Sequence, residues 1–86
     1  MRGILFESSG WKEFTEWQST NSKTWKKIVE LINESSRTPF HGTGKPEALR
    51  YNYKGYWSRR ITKEHRLVYK VTDEEITIVA CKGHYT

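Results

Sequence analysis

Apolar side chains recur at two different periods along the 86 residues, and the period changes just after residue 47. Ahead of that point the spacing is helical. Gly3-Ile4-Leu5-Phe6 reads as a short first strand, after which Trp11, Phe14 and Trp17 fall three apart on one side of a first helix. Ser8 or Ser9 is placed to cap it. Ser19-Thr20-Asn21-Ser22 interrupts the pattern. A second helix then sets Trp25, Ile28, Val29 and Ile32 at i, i+3, i+4 and i+7, with Lys26, Lys27, Glu30 and Asn33 facing out. The tryptophans of this half are expected as core anchors. Residues 35–39 end the helix, and residues 40–46 form a loop punctuated by Gly42, Gly44 and Pro46.

Beyond the loop the period is two. Residues 48–52, 56–61, 65–72 and 75–81 read as four strands joined by the brief links 53–55, 62–64 and 73–74. Links that short force antiparallel neighbours and hence a meander. The expected fold is α+β: two N-terminal helices packed on one face of a twisted, mainly antiparallel sheet of four to five strands. Its other face is left open. Residues 1–86 are read as a single domain, with no repeat, linker or low-complexity segment.

Composition narrows what such a domain does. No apolar run approaches a membrane span, and Met1-Arg2-Gly3-Ile4-Leu5 is too brief for the apolar core of a signal peptide, so a cytoplasmic protein is expected. The single cysteine, Cys81, excludes an internal disulfide framework and a Cys-rich zinc site. It alternates with Val79 and is expected to be a buried small hydrophobe. The net charge of +5 is uneven: residues 1–36 hold five basic and five acidic side chains, whereas residues 37–70 hold nine basic and two acidic. Those basic residues are interleaved with Tyr51, Tyr53, Tyr56, Trp57 and Tyr69. Such a field suits a polyanion with stackable bases. It equally describes a solvated basic sheet surface with its aromatics in the core. Neither helix has the basic face that major-groove reading demands, which disfavours a DNA-binding repressor.

The open face could gather a carboxylate (Glu47 or Glu64), guanidiniums (Arg59, Arg60, Arg66) and the imidazole of His84 at the end of the last strand. These are the groups needed to cleave RNA by internal transesterification: a base for the 2′-hydroxyl, a cation for the phosphorane and an acid for the departing 5′-oxygen. Surface ion pairs use the same residue types. His65 sits at a turn and alternates with Arg66, so it reads as structural, and His41 receives no role.

Five motifs occur here in one order: Arg37-Thr38-Pro39-Phe40, Gly44-Lys45-Pro46-Glu47, Tyr56-Trp57-Ser58-Arg59-Arg60-Ile61, Glu64-His65-Arg66-Leu67-Val68-Tyr69 and the closing His84-Tyr85. Together they closely resemble the YoeB (Txe) family of toxins, in the RelE superfamily of toxin–antitoxin systems. The match runs from Ile4 to Tyr85 and includes Trp11, Trp17 and the Val71-Thr72-Asp73 turn. The resemblance implies a RelE-like, microbial RNase-like fold. It implies an endoribonuclease that enters the ribosomal A site and cuts messenger RNA, with no metal or cofactor. It casts Glu47 as general base, His84 as general acid, Arg66 as the group stabilising the transition-state phosphate, and Tyr85 as orienting the substrate or stacking on a base. Arg60 and Glu64 would line the cleft, and Lys45 and Arg59 would hold the RNA or ribosomal RNA backbone. The implied partners are the ribosome with its message, a YefM (Axe)-type antitoxin with an acidic disordered segment, and a second toxin copy in a homodimer. Departures are Lys82-Gly83 ahead of the final His-Tyr, where relatives carry Arg and a bulky residue, and the extra Thr86. From another class, the same features fit a noncatalytic RNA- or ribosome-binding inhibitor of translation.

Overall fold

A computed structural model describes residues 1–83; His84, Tyr85 and Thr86 lie outside the described residues. The elements run β1 (Gly3–Phe6), α1 (Ser8–Thr20), α2 (Ser22–Arg37), β2 (Glu47–Ala48), a 3-10 turn (Tyr51–Tyr53), β3 (Tyr56–Arg60), β4 (Arg66–Val71) and β5 (Glu75–Ala80). They build a five-stranded sheet in the order β1-β5-β4-β3-β2. β3, β4 and β5 form the expected antiparallel meander, while β1 adds to β5 in parallel. The two helices supply the crossover that a parallel pair needs.

One residue separates the helices. The Asn21 backbone N–H donates to Trp17 O at 2.9 Å and closes α1, while its side-chain Oδ1 accepts from Thr24 N at 3.1 Å and opens α2. α2 buries Ile28, Leu31 and Ile32 against Leu67, Tyr69, Ile76 and Ile78. Each aliphatic side chain so buried contributes about 1.5–3 kcal/mol. α1 comes closer still, because a Cβ on the buried Gly10 would collide with the Ile78 carbonyl oxygen. Among the described residues no helix is long and apolar enough to cross a membrane.

Three local expectations need correction. α1 is not capped by Ser8 or Ser9: the preceding Glu7 makes no side-chain cap, and Ser9 Oγ instead donates to Val79 O at 2.9 Å, fastening α1 to β5. The strand expected over 48–52 is only Glu47–Ala48, because Tyr51 turns into the left-handed region at φ 59° and starts a 3-10 turn. Trp11 is 54% exposed, lying at the rim against Phe6 and Phe14 and not in the core. Cys81 is fully buried as expected, and burial, with Glu13 nearby, pushes its thiol pKa up to about 12.

Candidate functional site on the open face of the sheet

Strand pairing decides which side chains share the uncovered face. Glu47 lies opposite Ser58, Ser58 opposite Val68, and Val68 opposite Ala80, so these four form one row across β2, β3, β4 and β5. One step of two residues along the strands, Arg60 lies opposite Arg66; one step the other way, Tyr56 lies opposite Lys70. Alternation therefore puts Glu47, Arg60, Arg66, Tyr56 and Lys70 on one face. Ordinary sheet spacings set Glu47 and Arg66 about 12 Å apart at Cα with Arg60 between them. The residues of the row between them are small and well covered, with Ser58 4%, Val68 0% and Ala80 6% exposed.

The electrostatics of this row are unusual. Two guanidiniums directly opposite each other repel, at a cost of about 0.2–1 kcal/mol in a sheet. Neither Arg60 nor Arg66 has a carboxylate partner among the described residues, Glu64 included. Arg66 is half-buried, and its Nε–H has no acceptor among the described residues. Glu47 is exposed and likewise unpaired among them. Two like charges thus face each other across the ladder, and one of them keeps a donor without an acceptor among the described residues.

The chain leaving β5 is fastened from both sides before it reaches His84. Cys81 N–H donates to Glu13 Oε1 at 2.8 Å, and Trp17 Nε1 donates to Cys81 O at 2.8 Å, so α1 grips both backbone groups of one residue. Gly83 N–H donates to His65 Nδ1 at 2.9 Å, and Arg66 N–H donates to Gly83 O at 3.0 Å. Gly83 adopts φ +86°, a left-handed conformation that suits the glycine found there. His65 is thus structural, as its alternation with Arg66 implied. Trp17, expected as a core anchor, also holds the Cys81 carbonyl, and Glu13 and Ser58 had no expected role; of these two, only Ser58 carried a signal, its strand alternation with Arg60.

Arg59 is the clear correction. Period two groups it with Trp57 and Ile61, on the helix side, and there its side chain is fully buried. It donates five hydrogen bonds: Nε to Tyr69 Oη at 3.0 Å, Nη1 to Glu34 Oε2 at 2.6 Å and Thr43 O at 3.1 Å, and Nη2 to His41 O at 3.2 Å and Thr38 O. Tyr69 Oη passes its own proton to Pro39 O at 2.6 Å. Arg59 therefore ties α2 and loop 38–43 to β3 and is closed to an RNA backbone. Hydrogen bonds from the Thr43 N–H and hydroxyl, then from Arg59, hold the Glu34 carboxyl below its usual range despite the opposing effect of burial. The same loop runs on to Glu47, with Gly44 O accepting from Arg60 N at 2.7 Å. Lys45 is exposed on it, and Glu64 is exposed on the turn after β3. His84 and Tyr85 lie outside the described residues.

Residues 6–85 match the model of a YoeB-like toxin of bacterial type II toxin–antitoxin systems. The chain is 51% identical over 82 residues to toxin YoeB of Escherichia coli K12, covering 95% of this chain and 98% of that protein. Among solved structures, the YoeB/ParE toxin from Agrobacterium tumefaciens superposes with a TM-score of 0.92 at 42% identity, covering 96% of this chain and 99% of that one. Staphylococcus aureus YoeB, solved as a dimer, gives 0.90 at 44% identity over 98% of both chains. A YoeB–YefM complex from Staphylococcus aureus gives 0.88 at 44% identity over 99% of both chains. A family model spanning nearly the whole sequence and relatives near half identity leave one conclusion: the chain belongs to the YoeB-like toxins of bacterial type II toxin–antitoxin systems.

Proposed function

We propose that this toxin is a ribosome-dependent endoribonuclease that cuts messenger RNA in the A site. The observation carrying the reading is the Arg60–Arg66 pair, unneutralised among the described residues, on the face shared with Glu47. A scissile phosphate between those groups would meet a carboxylate on one side and two guanidiniums on the other. Glu47 takes the 2′-hydroxyl proton, and the freed oxygen attacks the phosphorus. Arg66, with Arg60 beside it, stabilises charge growing on the phosphorane. His84 protonates the departing 5′-oxygen, and Tyr85 orients the nucleotide. Lys45 and Glu64 stand at the rim. The tail anchoring at Cys81 and Gly83 supports this assignment, since it fixes the backbone immediately ahead of His84 beside Arg66.

By likeness to the S. aureus proteins, the control partner is a YefM-type antitoxin, and a toxin dimer is the matching assembly. A single acidic segment laid along Lys45, Arg60, Arg66 and Lys70 would neutralise the face and exclude RNA. Residues 1–86 are proposed to act as one domain. The deciding experiment is primer extension on a translated message. Wild-type protein should create new 5′ ends, and Glu47→Ala and His84→Ala should each lower cleavage by about 10²–10⁴-fold while still binding ribosomes. Growth arrest without new 5′ ends would replace this reading with inhibition by occupancy.

A further inference from the structure

Four hydrogen bonds hold backbone groups of residues 81 and 83, and one of them depends on which ring nitrogen of a histidine carries the proton. Gly83 N–H reaches His65 Nδ1 at 2.9 Å. A backbone N–H can only donate, so Nδ1 must be the unprotonated nitrogen of a neutral imidazole, with the ring proton on Nε2. The ring is itself fixed. It meets Trp17 edge-on, with centroids 4.9 Å apart, and Trp17 donates to the Cys81 carbonyl. On the other side the His65 backbone closes the β3–β4 turn, taking the N–H groups of Ile61 and Thr62 and giving its own N–H to Thr62 Oγ1. The next residue, Arg66, takes the Gly83 carbonyl. Gly83 is therefore gripped by two consecutive residues of the segment that carries the phosphate-binding guanidinium.

We infer that His65 is a positioning residue of the cleavage reaction, its Nδ1 holding Gly83 and so fixing the base of the tail that bears His84 relative to Arg66. This rests on the endoribonuclease reading. A left-handed glycine with no described residue packed where a Cβ would stand is a pivot unless something holds its amide. The imidazole supplies that hold without touching RNA. Displacing an acid by about 1 Å is enough to cost on the order of 100-fold in rate, so the effect should fall on the chemical step and not on binding.

The test combines spectroscopy on wild-type toxin with two variants. Nitrogen-15 spectra should show His65 as the Nε2–H tautomer and Gly83 as a slowly exchanging amide. His65→Ala should lose that protection and cut a translated message roughly 10- to 100-fold more slowly, with ribosome affinity unchanged. His65→Asn places an oxygen acceptor close to the Nδ1 position and should restore both protection and rate. A protonated Nδ1, an unprotected Gly83 amide, a fully active alanine variant, or an asparagine variant no better than alanine would each overturn the inference. Wild-type toxin that cuts nothing refutes the endoribonuclease reading and the positioning role with it. In that case the Gly83 amide still reports whether the clamp exists.

Discussion

Replacing Arg59 with methionine should unfold this protein more readily than any single change on the open face. The perturbation keeps an unbranched apolar stem and removes the charge and the guanidinium that makes five hydrogen bonds. It leaves the Glu34 carboxylate, which is 28% exposed, with Thr43 as its remaining hydrogen-bond partner and no cation, and frees three carbonyls and the Tyr69 hydroxyl from their donor. Breaking a buried pair by removing one partner costs about 3–5 kcal/mol. A domain of 86 residues has only about 4–13 kcal/mol in total, at roughly 0.05–0.15 per residue. Urea unfolding, followed by tryptophan fluorescence in the Glu47→Ala background to permit expression, should show the midpoint falling by roughly 2 M or more. Arg59→Lys should recover little, because an ammonium cannot present the planar fork that Thr38, His41, Thr43 and Glu34 share. A second change at Glu34, to leucine, should soften the loss from Arg59→Met, since it removes the carboxylate left without its cation. The reasoning fails if Arg59→Met shifts stability by less than about 0.5 kcal/mol. It fails equally if the variant's main defect is weaker RNA binding with a shallower salt dependence.

Arg66→Met should behave in the opposite way. It removes a cation that faces Arg60 and an unpartnered donor, so thermal melting should show unchanged or slightly raised stability, while primer extension shows cleavage down by at least about 100-fold. Cys81 should resist iodoacetamide at pH 8 in the native state and react only on unfolding, because its thiol is fully buried and its pKa lies near 12; mass spectrometry of alkylated protein checks this. Glu34 gives a pH signature. Its carboxyl is depressed below its ordinary 4.5 in the folded state, so its stabilisation is complete above that value and is lost as pH falls through the lower folded one. Glu34→Gln should therefore lower stability at neutral pH and flatten the acid limb of a urea-midpoint profile.

The helices, the meander and the open face were legible because each depends on a period that the chain repeats: 3.6 over Trp25, Ile28 and Ile32, and two over Leu67, Tyr69 and Val71. The errors came from places where a single contact outweighs the period. Arg59 looks like its neighbour Arg60 in composition, yet alternation places one under α2 and the other on the open face. The parity of Trp57, Arg59 and Ile61 held that distinction, and the charge hid it. Tyr51 broke a strand that propensity favoured, because the chain must turn between Ala48 and Tyr56 in little space. Trp11 sits at the rim because Gly10 brings α1 down on β5 at the preceding residue. The candidate site was readable only through the motifs that resemble the YoeB family. Nothing in spacing alone brings Glu47 beside Arg66, since that meeting requires two strand registers to be right at once.

Adjacent arginines on β3 show how the fold separates stability from activity. Arg59 spends every donor inside the protein, so its charge holds the loop that leads to Glu47 and is lost to any ligand. Arg60, one residue later, projects to the other face and meets Arg66 across the ladder without a carboxylate among the described residues. One guanidinium is satisfied so that the other can be left unsatisfied in a fixed place. On the helix face Arg59 has every donor paired, whereas on the open face like charges stand opposite each other, the kind of local conflict that a functional demand explains. The consequence reaches control as well as catalysis. On the proposed reading, the unbalanced charge that would draw a phosphate to this face would equally draw an acidic chain laid over it. An antitoxin therefore needs no imitation of RNA, only carboxylates spaced to meet Arg60, Arg66 and Lys70 together.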